Sequence, residues 1–339
     1  MFPRLLPGLR KNVTKPIGFI LLWAVPVAGF ALIFAVLAGD IQSPGADSRI
    51  RAFLVSTELL LLIVAFFAFC FCMERVAPYR ARWNRAGLAE VHDVALYFLA
   101  IVPAETIGRM LVFIVVPWVL LLIPESLQAA LWPRDWPLWI QVGLGLLIFD
   151  FVYYWYHRLS HTRDWLWAWH RLHHTPEYLV ASKGLRHTLP EWGADIVLHS
   201  TAFALAGMPP IVIFWLYAIT MPIGILSHAN IAVPNAAGLA AIFNLPGTHR
   251  IHHDRELRGG LKNFSAFTMI WDHVFRTYES PARYRPRKLG VDGYSVPENL
   301  WRLWFSFLNI SDARRKRRTA AWLKIKRKRV RLKRLRALR

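Results

Sequence analysis

Long apolar stretches, separated by short polar or basic ones, dominate the first two thirds of the chain. Residues 17–39 (IGFILLWAVPVAGFALIFAVLAG) run for 23 residues without a charge, and about 20 apolar residues in a helix cross a hydrocarbon core. Basic residues before this run and small ones near its end resemble a signal peptide. The run exceeds the roughly 7 to 15 residues of a signal h-region, so an uncleaved anchor is expected. A second span is expected from Ala52 to Met73, with Glu58 as its only charge. The third apolar block, 94–123, contains Glu105 and Arg109, which are four apart and can pair on one helix face. It fits either one long tilted helix or an interfacial piece followed by a short span. A fourth span runs from Leu138 to Tyr156 and ends in FDFVYYWYH, with aromatics where an interfacial belt belongs. Residues 196–227 are apolar but broken by Gly207, Pro209 and Pro210, long enough for a bent hairpin that enters and leaves on one side.

Lys and Arg then orient the chain. Arg4, Arg10, Lys11 and Lys15 precede the first span, and Arg75, Arg80, Arg82 and Arg85 follow the second. The end of the chain is basic as well. With block three crossing once, the positive-inside rule puts all three segments, and everything from His157 onward, in the cytoplasm. The expected fold class is an all-α membrane protein of about four transmembrane helices plus a bent hairpin. The expected units are an N-terminal transmembrane region (1–136), a catalytic domain (137–285) and a basic cytoplasmic tail (286–339). No solenoid-type repeat is visible.

Composition agrees: 55% of the 339 residues are hydrophobic, mean hydropathy is +0.31 and only 19% are charged. The net charge of +21 raises the question of nucleic acid. Yet 15 of the 42 basic residues fall between Arg314 and Arg339, leaving 27 against 21 acidic residues elsewhere. Such a tail after membrane spans fits anionic lipid headgroups better than a nucleic acid. Cys70 and Cys72 form neither a disulfide framework nor a CxxC zinc site, and are expected to be buried, reduced thiols.

The chemistry lies in the histidines. Twelve of the 13 fall between His157 and His273. His157 and His161 (HRLSH) are i and i+4 on one helix face; His170, His173 and His174 (HRLHH) and His249, His252 and His253 (HRIHH) repeat an i, i+3, i+4 pattern; His228 stands in SHAN. The spacing within each word suits rings gripping one ion. A lone histidine such as His92, His199 or His228 is by itself more often a hydrogen-bonded packing residue. Packing gives a poor account of the clusters, because crowded imidazoles lose solvation and repel once protonated. Nine imidazoles exceed the needs of one tetrahedral ion, so two ions are expected. Imidazole suits zinc, copper, iron and nickel alike. HExxH is absent and no Glu lies inside a cluster, which argues against metal-assisted hydrolysis. Neutral ligands in an apolar setting fit O2 activation on iron, with an aliphatic substrate dissolved in the bilayer.

These motifs resemble the fatty acid hydroxylase superfamily, also called the sterol desaturase family, of membrane diiron oxygenases. DFVYYWYHRLSH, WAWHRLHHTPEY, SHANI, LPGTHRIHHDRE and NFSAFTMIWDHVFRTYE are similar, in order, to its motifs between Asp150 and Tyr278. The chain departs from the family at Ser265 and Arg276, where Gly is usual, at His273, where Arg is usual, and at Ala232, where some relatives carry a further His. RHTLPE only partly resembles a His-containing motif that ends in Glu, which makes His187 a candidate tenth ligand or supporting residue. The resemblance implies a four-span bundle capped on the cytoplasmic side by histidine-rich helices holding two irons. It also implies O2 as co-substrate, and hydroxylation of an unactivated C–H bond in a lipid, sterol or related amphiphile. Asp150, Asn230, Asp254, Asn263 and Asp272 are candidates for fixing imidazole tautomers. The sequence contains no CxxCH and no GxGxxG, so electrons are expected from a separate ferredoxin-like or cytochrome b5-like donor. Either a bacterial inner membrane or the endoplasmic reticulum suits the chain. Desaturation by the same site, a metal transporter and a structural metal protein are the alternatives.

Overall fold

Apolar runs of this length satisfy their backbone groups within themselves when they are helical, and no strand forms among the described residues. The computed structural model describes residues 57–84, 87–124, 132–232, 237–292, 294 and 299–308. The anchor expected at 17–39 and the basic run from Arg314 lie outside the described residues. The helices are α1 (Thr57–Val76), α2 (Leu88–Leu120), α3 (Leu138–Thr162), α4 (Asp164–His174), α5 (Leu189–Leu205), α6 (Pro210–His228), α7 (Ala237–Ile242), α8 (Pro246–His252), α9 (Leu257–Gly260), α10 (Ile270–Val274) and α11 (Leu300–Trp304).

Among the described residues, three helices are long and apolar enough to cross a membrane: Ala89–Leu120, Leu138–Thr162 and Pro210–His228. The third block is therefore one continuous helix of 33 residues, with Pro103 and Pro117 inside it. Proline in a helix interior removes a backbone bond, yet neither residue ends α2. The surface of α2 resembles that of a helix in lipid. Val102, Met110, Phe113, Trp118, Leu121 and Leu122 on and just after it are mostly exposed, up to 83% for Leu122; so large an apolar face needs lipid or a partner to cover it. Its inner stripe shrinks along the helix, through Leu96, Ala100 and Ala104 (all at most 1% exposed) to Gly108. A Cβ at Gly108 would lie 2.8 Å from Ile196 Cγ2, so glycine permits the close approach of α5. Glu105 accepts a 2.7 Å hydrogen bond from Arg109 on the exposed face of α2, as their spacing predicts.

The interrupted apolar stretch becomes α5 and α6, joined at Ala206–Pro209, with Pro210 opening α6. The inner stripe of α1, Phe66, Cys70 and Met73, packs on Ile225, Leu226 and Ile231 at the end of α6. Cys70 is buried but Cys72 is exposed, contrary to the expectation that both are buried; two residues apart on a helix, they face nearly opposite ways. Part of the region expected as a tail joins the body: Leu303 of α11 is fully buried with Leu96 and Leu172. The short helices α4 and α8 gather at the end of α3, and there the histidines meet.

Candidate metal centre

The structure sorts the nine clustered histidines into two buried groups. His157, His161, His170, His174 and His252 form one; His173, His228, His249 and His253 form the other, and within each group the ligand atoms lie within 4.8 Å of one another. The expectation that each HxxHH word grips one ion is corrected. His170 and His174 of the first word enter the five-ring group while His173 enters the other; His249 and His253 of the second word enter the four-ring group while His252 crosses back. The reason is helical geometry: i and i+4 stack on one face, whereas i+3 lies far enough round the axis to point at a neighbouring site. The two words thus tie both groups together, with the His174 and His253 rings stacked at 4.3 Å between them.

The ring nitrogens meet in a way that hydrogen bonding alone does not satisfy. His170 Nε2 lies 3.0 Å from His157 Nε2, 3.1 Å from His161 Nε2 and 3.0 Å from His174 Nε2. A ring nitrogen has one in-plane site, for a proton or a lone pair, so it makes one such bond and not three. In the second group the Nε2 atoms of His228 and His173 are 3.0 Å apart, those of His249 and His228 2.9 Å, and those of His253 and His249 3.0 Å.

Outer partners fix the tautomers. A backbone carbonyl only accepts, so the nitrogen facing it carries the proton. His157 Nδ1 donates to Phe264 O (2.7 Å), His252 Nδ1 to Lys262 O (2.9 Å) and His228 Nδ1 to Gly224 O (3.0 Å). The Nδ1 of His170 is held by the Glu191 carboxylate. These rings therefore turn an Nε2 lone pair inward, toward other lone pairs. Burial, reinforced by neighbouring imidazoles, lowers the pKa of His173, His174, His249 and His253 well below the ordinary histidine value, and burial pushes His252 down to about 3. Converging neutral nitrogens, four of their rings backed by an acceptor at Nδ1, are the donor set of a metal ion, and the residues present fit that group.

Glu191 is the residue that sequence reasoning passed over. Besides His170, it takes a 2.9 Å contact from His187 Nδ1, and its other oxygen accepts from the Thr188 amide at 3.4 Å. Burial disfavours its charge, but His187 and His170 outweigh burial and hold its pKa down at about 2. Burial likewise opposes a proton on His187, and Glu191 reverses this, raising its pKa. His187 stacks on His173 at 4.3 Å and is placed to support that ring. The signal was in the sequence: Thr188-Leu-Pro-Glu191 is a capping box, and Glu191 is four residues beyond His187.

The five proposed tautomer-fixing residues hold backbone, not imidazoles. Asp150 accepts from the amides of Phe267 (2.9 Å) and Thr268 (2.6 Å). Asp272 accepts from those of Phe264 (2.9 Å) and Ser265 (2.8 Å). Asn263 donates to Thr248 O and Glu279 O, both at 3.0 Å. Asp254 bonds Tyr284 and the Glu256 amide, and Asn230 braces Arg80 and Asn84. Asp272 and Asn263 still reach the histidines at one remove. Asn263 adopts φ 56°, a region that asparagine tolerates. It sits between Lys262 and Phe264, whose carbonyls bond His252 and His157.

Two buried acids brace the other side, and neither was foreseen. Glu74 accepts from the amides of Ala181 (2.7 Å) and Asn230 (2.8 Å). Asp93 of α2 pairs with Lys183 and Arg186, with Arg186 Nη1 at 3.0 Å. Together they fix the 181–186 segment that leads to His187 and presents Gly184 to His228; a Cβ on Gly184 would lie 3.0 Å from His228 Nδ1.

A helical body with membrane-length apolar helices and two buried imidazole clusters defines a membrane-type metalloprotein. The sequence model of the family described as fatty acid hydroxylase matches residues 142–277, which include all nine clustered histidines. The chain is 31% identical over 269 residues, 78% of each chain, to the ornithine lipid hydroxylase OlsE of Rhizobium tropici. It is also 31% identical over 153 residues to the human alkylglycerol monooxygenase, covering 44% of this chain and 32% of that one, and 32% identical over 151 residues to its Danio rerio counterpart. No solved structure matches. The chain belongs to the fatty acid hydroxylase family and is an oxidoreductase.

Proposed function

We propose that this protein is a membrane diiron hydroxylase that inserts an oxygen atom from O2 into an unactivated C–H bond of a lipid or related amphiphile. The observation that carries this reading is the sorting of nine buried imidazoles into two adjoining nitrogen-donor groups. Similarity to an ornithine lipid hydroxylase and to alkylglycerol monooxygenases supports an amphiphilic lipid as substrate. His157, His161, His170, His174 and His252 would hold one iron, and His173, His228, His249 and His253 the other. The irons, when bound, supply O2 activation and hydrogen abstraction. The protein's own residues supply orientation and dryness: each of the nine rings is at most 6% exposed. Glu191, Phe264 O, Lys262 O and Gly224 O hold the Nδ1 protons, and His187 with Glu191 forms a proton-holding pair beside His173.

Two electrons per turnover would come from a separate ferredoxin-like or cytochrome b5-like protein. Arg75, Arg80, Arg82 and Arg85 after α1 support a cytoplasmic position for the site, with 17–39, α1, α2 and α3 as the four expected spans and α5 with α6 as the bent hairpin. We take 137–285 as the catalytic unit, since the family match lies within it. A transporter would line a path with ionisable groups, whereas these rings converge on two points. A structural zinc site needs about four ligands, fewer than the five-ring group offers.

The test is turnover. Iron-loaded protein in lipid nanodiscs, given a reductase chain and isotopically labelled O2, should place one labelled oxygen atom in a membrane lipid detected by mass spectrometry. Label found only in water or peroxide, across a panel of zwitterionic, anionic and aminoacyl lipids, would contradict lipid hydroxylation.

A further inference from the structure

A second concave site lies outside the histidine groups. It is a cavity of about 420 Å³ lined by Arg80, Arg82, Arg255, Arg287 and Lys288, with Trp83, Tyr178 and Leu289 as its apolar walls and Glu177 as its one acid. Its walls run on from the metal ligands: Glu177 follows His174 by three residues and Arg255 follows His253 by two.

The charges are unbalanced. Glu177 is already engaged by Arg255, which also donates to Leu289 O at 3.2 Å and has Asp292 at 3.7 Å. Arg80 lies over the Trp83 ring at 5.1 Å and is fixed through its backbone by Asn230. Among the described residues no carboxylate pairs with Arg80, Arg82, Arg287 or Lys288. Behind the wall, Arg250 is 6% exposed, packs over Tyr79 at 3.7 Å, and its Nη1 has no hydrogen-bond partner. Tyr79 in turn touches Trp83, with ring centroids 5.8 Å apart. Like charges gathered in a concavity repel unless an anion joins them. Guanidinium groups bond phosphoryl oxygens in pairs, which suits them to a tetrahedral dianion. A cavity of this volume falls within the range of small-molecule sites, about 300 to 1,000 Å³, and exceeds what a bare phosphate fills.

We propose that this cavity binds a phosphate ester, its phosphoryl group held by Arg80, Arg82, Arg287 and Lys288 and its organic part against Trp83, Tyr178 and Leu289. A phospholipid headgroup and a soluble phosphate ester share this chemistry. The proposal does not rest on the metal or on hydroxylation, and its test is made without turnover.

The test titrates detergent-purified full-length protein with glycerol 3-phosphate by calorimetry, and repeats the titration in micelles doped with phosphatidic acid or with phosphatidylcholine. The comparison is with an Arg82→Gln/Arg287→Gln/Lys288→Gln variant, whose three side chains are exposed. The basic run from Arg314 is common to both proteins, so its background cancels. Glycerol 3-phosphate should bind the variant about tenfold more weakly, while Arg283→Gln, outside the cavity, should bind as wild type. Displacement by phosphatidic acid but not phosphatidylcholine would assign the site to a lipid headgroup; binding without displacement would assign it to a soluble ester. Both support the site. No binding at millimolar ester, or equal binding by wild type and variant, would overturn it. If the triple variant aggregates, Arg287→Gln alone should still weaken binding about threefold, and an unchanged affinity there also overturns the proposal.

Discussion

The two imidazole groups differ in what stands behind them. In the five-ring group, His170 is backed by a carboxylate and His157 and His252 by carbonyls of one segment, 262–264. In the four-ring group, His228 bonds Gly224 O and Ser227, His249 lies 3.4 Å from the Asn244 amide, and the Nδ1 atoms of His173 and His253 have no hydrogen-bond partner. Stacking takes the place of hydrogen bonding there, with His173 on His187 and His253 on His174. A ring held by a charged acceptor is a better donor and turns less freely. The five-ring group should therefore bind metal more tightly, and the four-ring group should lose it first.

The largest break in this comparison comes from Glu191→Ala. It strips His170 and His187 of their partner, and metal affinity of the five-ring group should fall about 10- to 100-fold. Titration with a chelator, followed by iron analysis, would show the order of loss reversed. Glu191→Gln, which keeps one acceptor oxygen, should fall between the variant and wild type. Asp272→Ala comes next, because it orphans the buried amides of Phe264 and Ser265. A cost of about 2 to 4 kcal/mol, seen as a lowered melting temperature, should accompany weaker iron binding in the five-ring group alone.

Gly184→Ala strikes the other side. Its methyl group would press on His228, costing about 1 to 3 kcal/mol and hastening chelator loss from the four-ring group while sparing the five-ring one. Ser265→Ala should do least. The Ser265 hydroxyl is buried without a partner, so its removal should leave iron content unchanged and raise stability by up to about 1 kcal/mol. A fall in stability would mean that this hydroxyl has a role the comparison omits.

Much of this was legible in the chain, because apolar length and histidine spacing are local signals. The helix at 138–156 and the bent pair after residue 196 follow from runs and breakers, while 94–123 left one helix and a broken one both open and is a single helix. All nine clustered histidines do come together. What spacing did not reveal was the division of each HxxHH word between two groups, since that depends on where α3 and α6 place His157, His161 and His228. Glu74 and Asp93 escaped notice because each meets partners roughly 90 to 160 residues away in sequence, whereas Glu191 carried a local signal, its capping box and its place four residues after His187, that was not read. Asp150 and Asp272 were expected to fix imidazole tautomers, but a sequence cannot show that they bond amides and leave the rings to carbonyls.

The most direct test of the central claim is metal content. Protein purified and reconstituted with iron under anaerobic conditions would be compared with His252→Ala, His249→Ala and the double variant. About two irons per chain are expected in the wild type, about one in each single variant and none in the double. Loss of all iron in both single variants would contradict two separable groups. Zinc that resists exchange for iron, or no bound metal in the wild type, would contradict the diiron site itself.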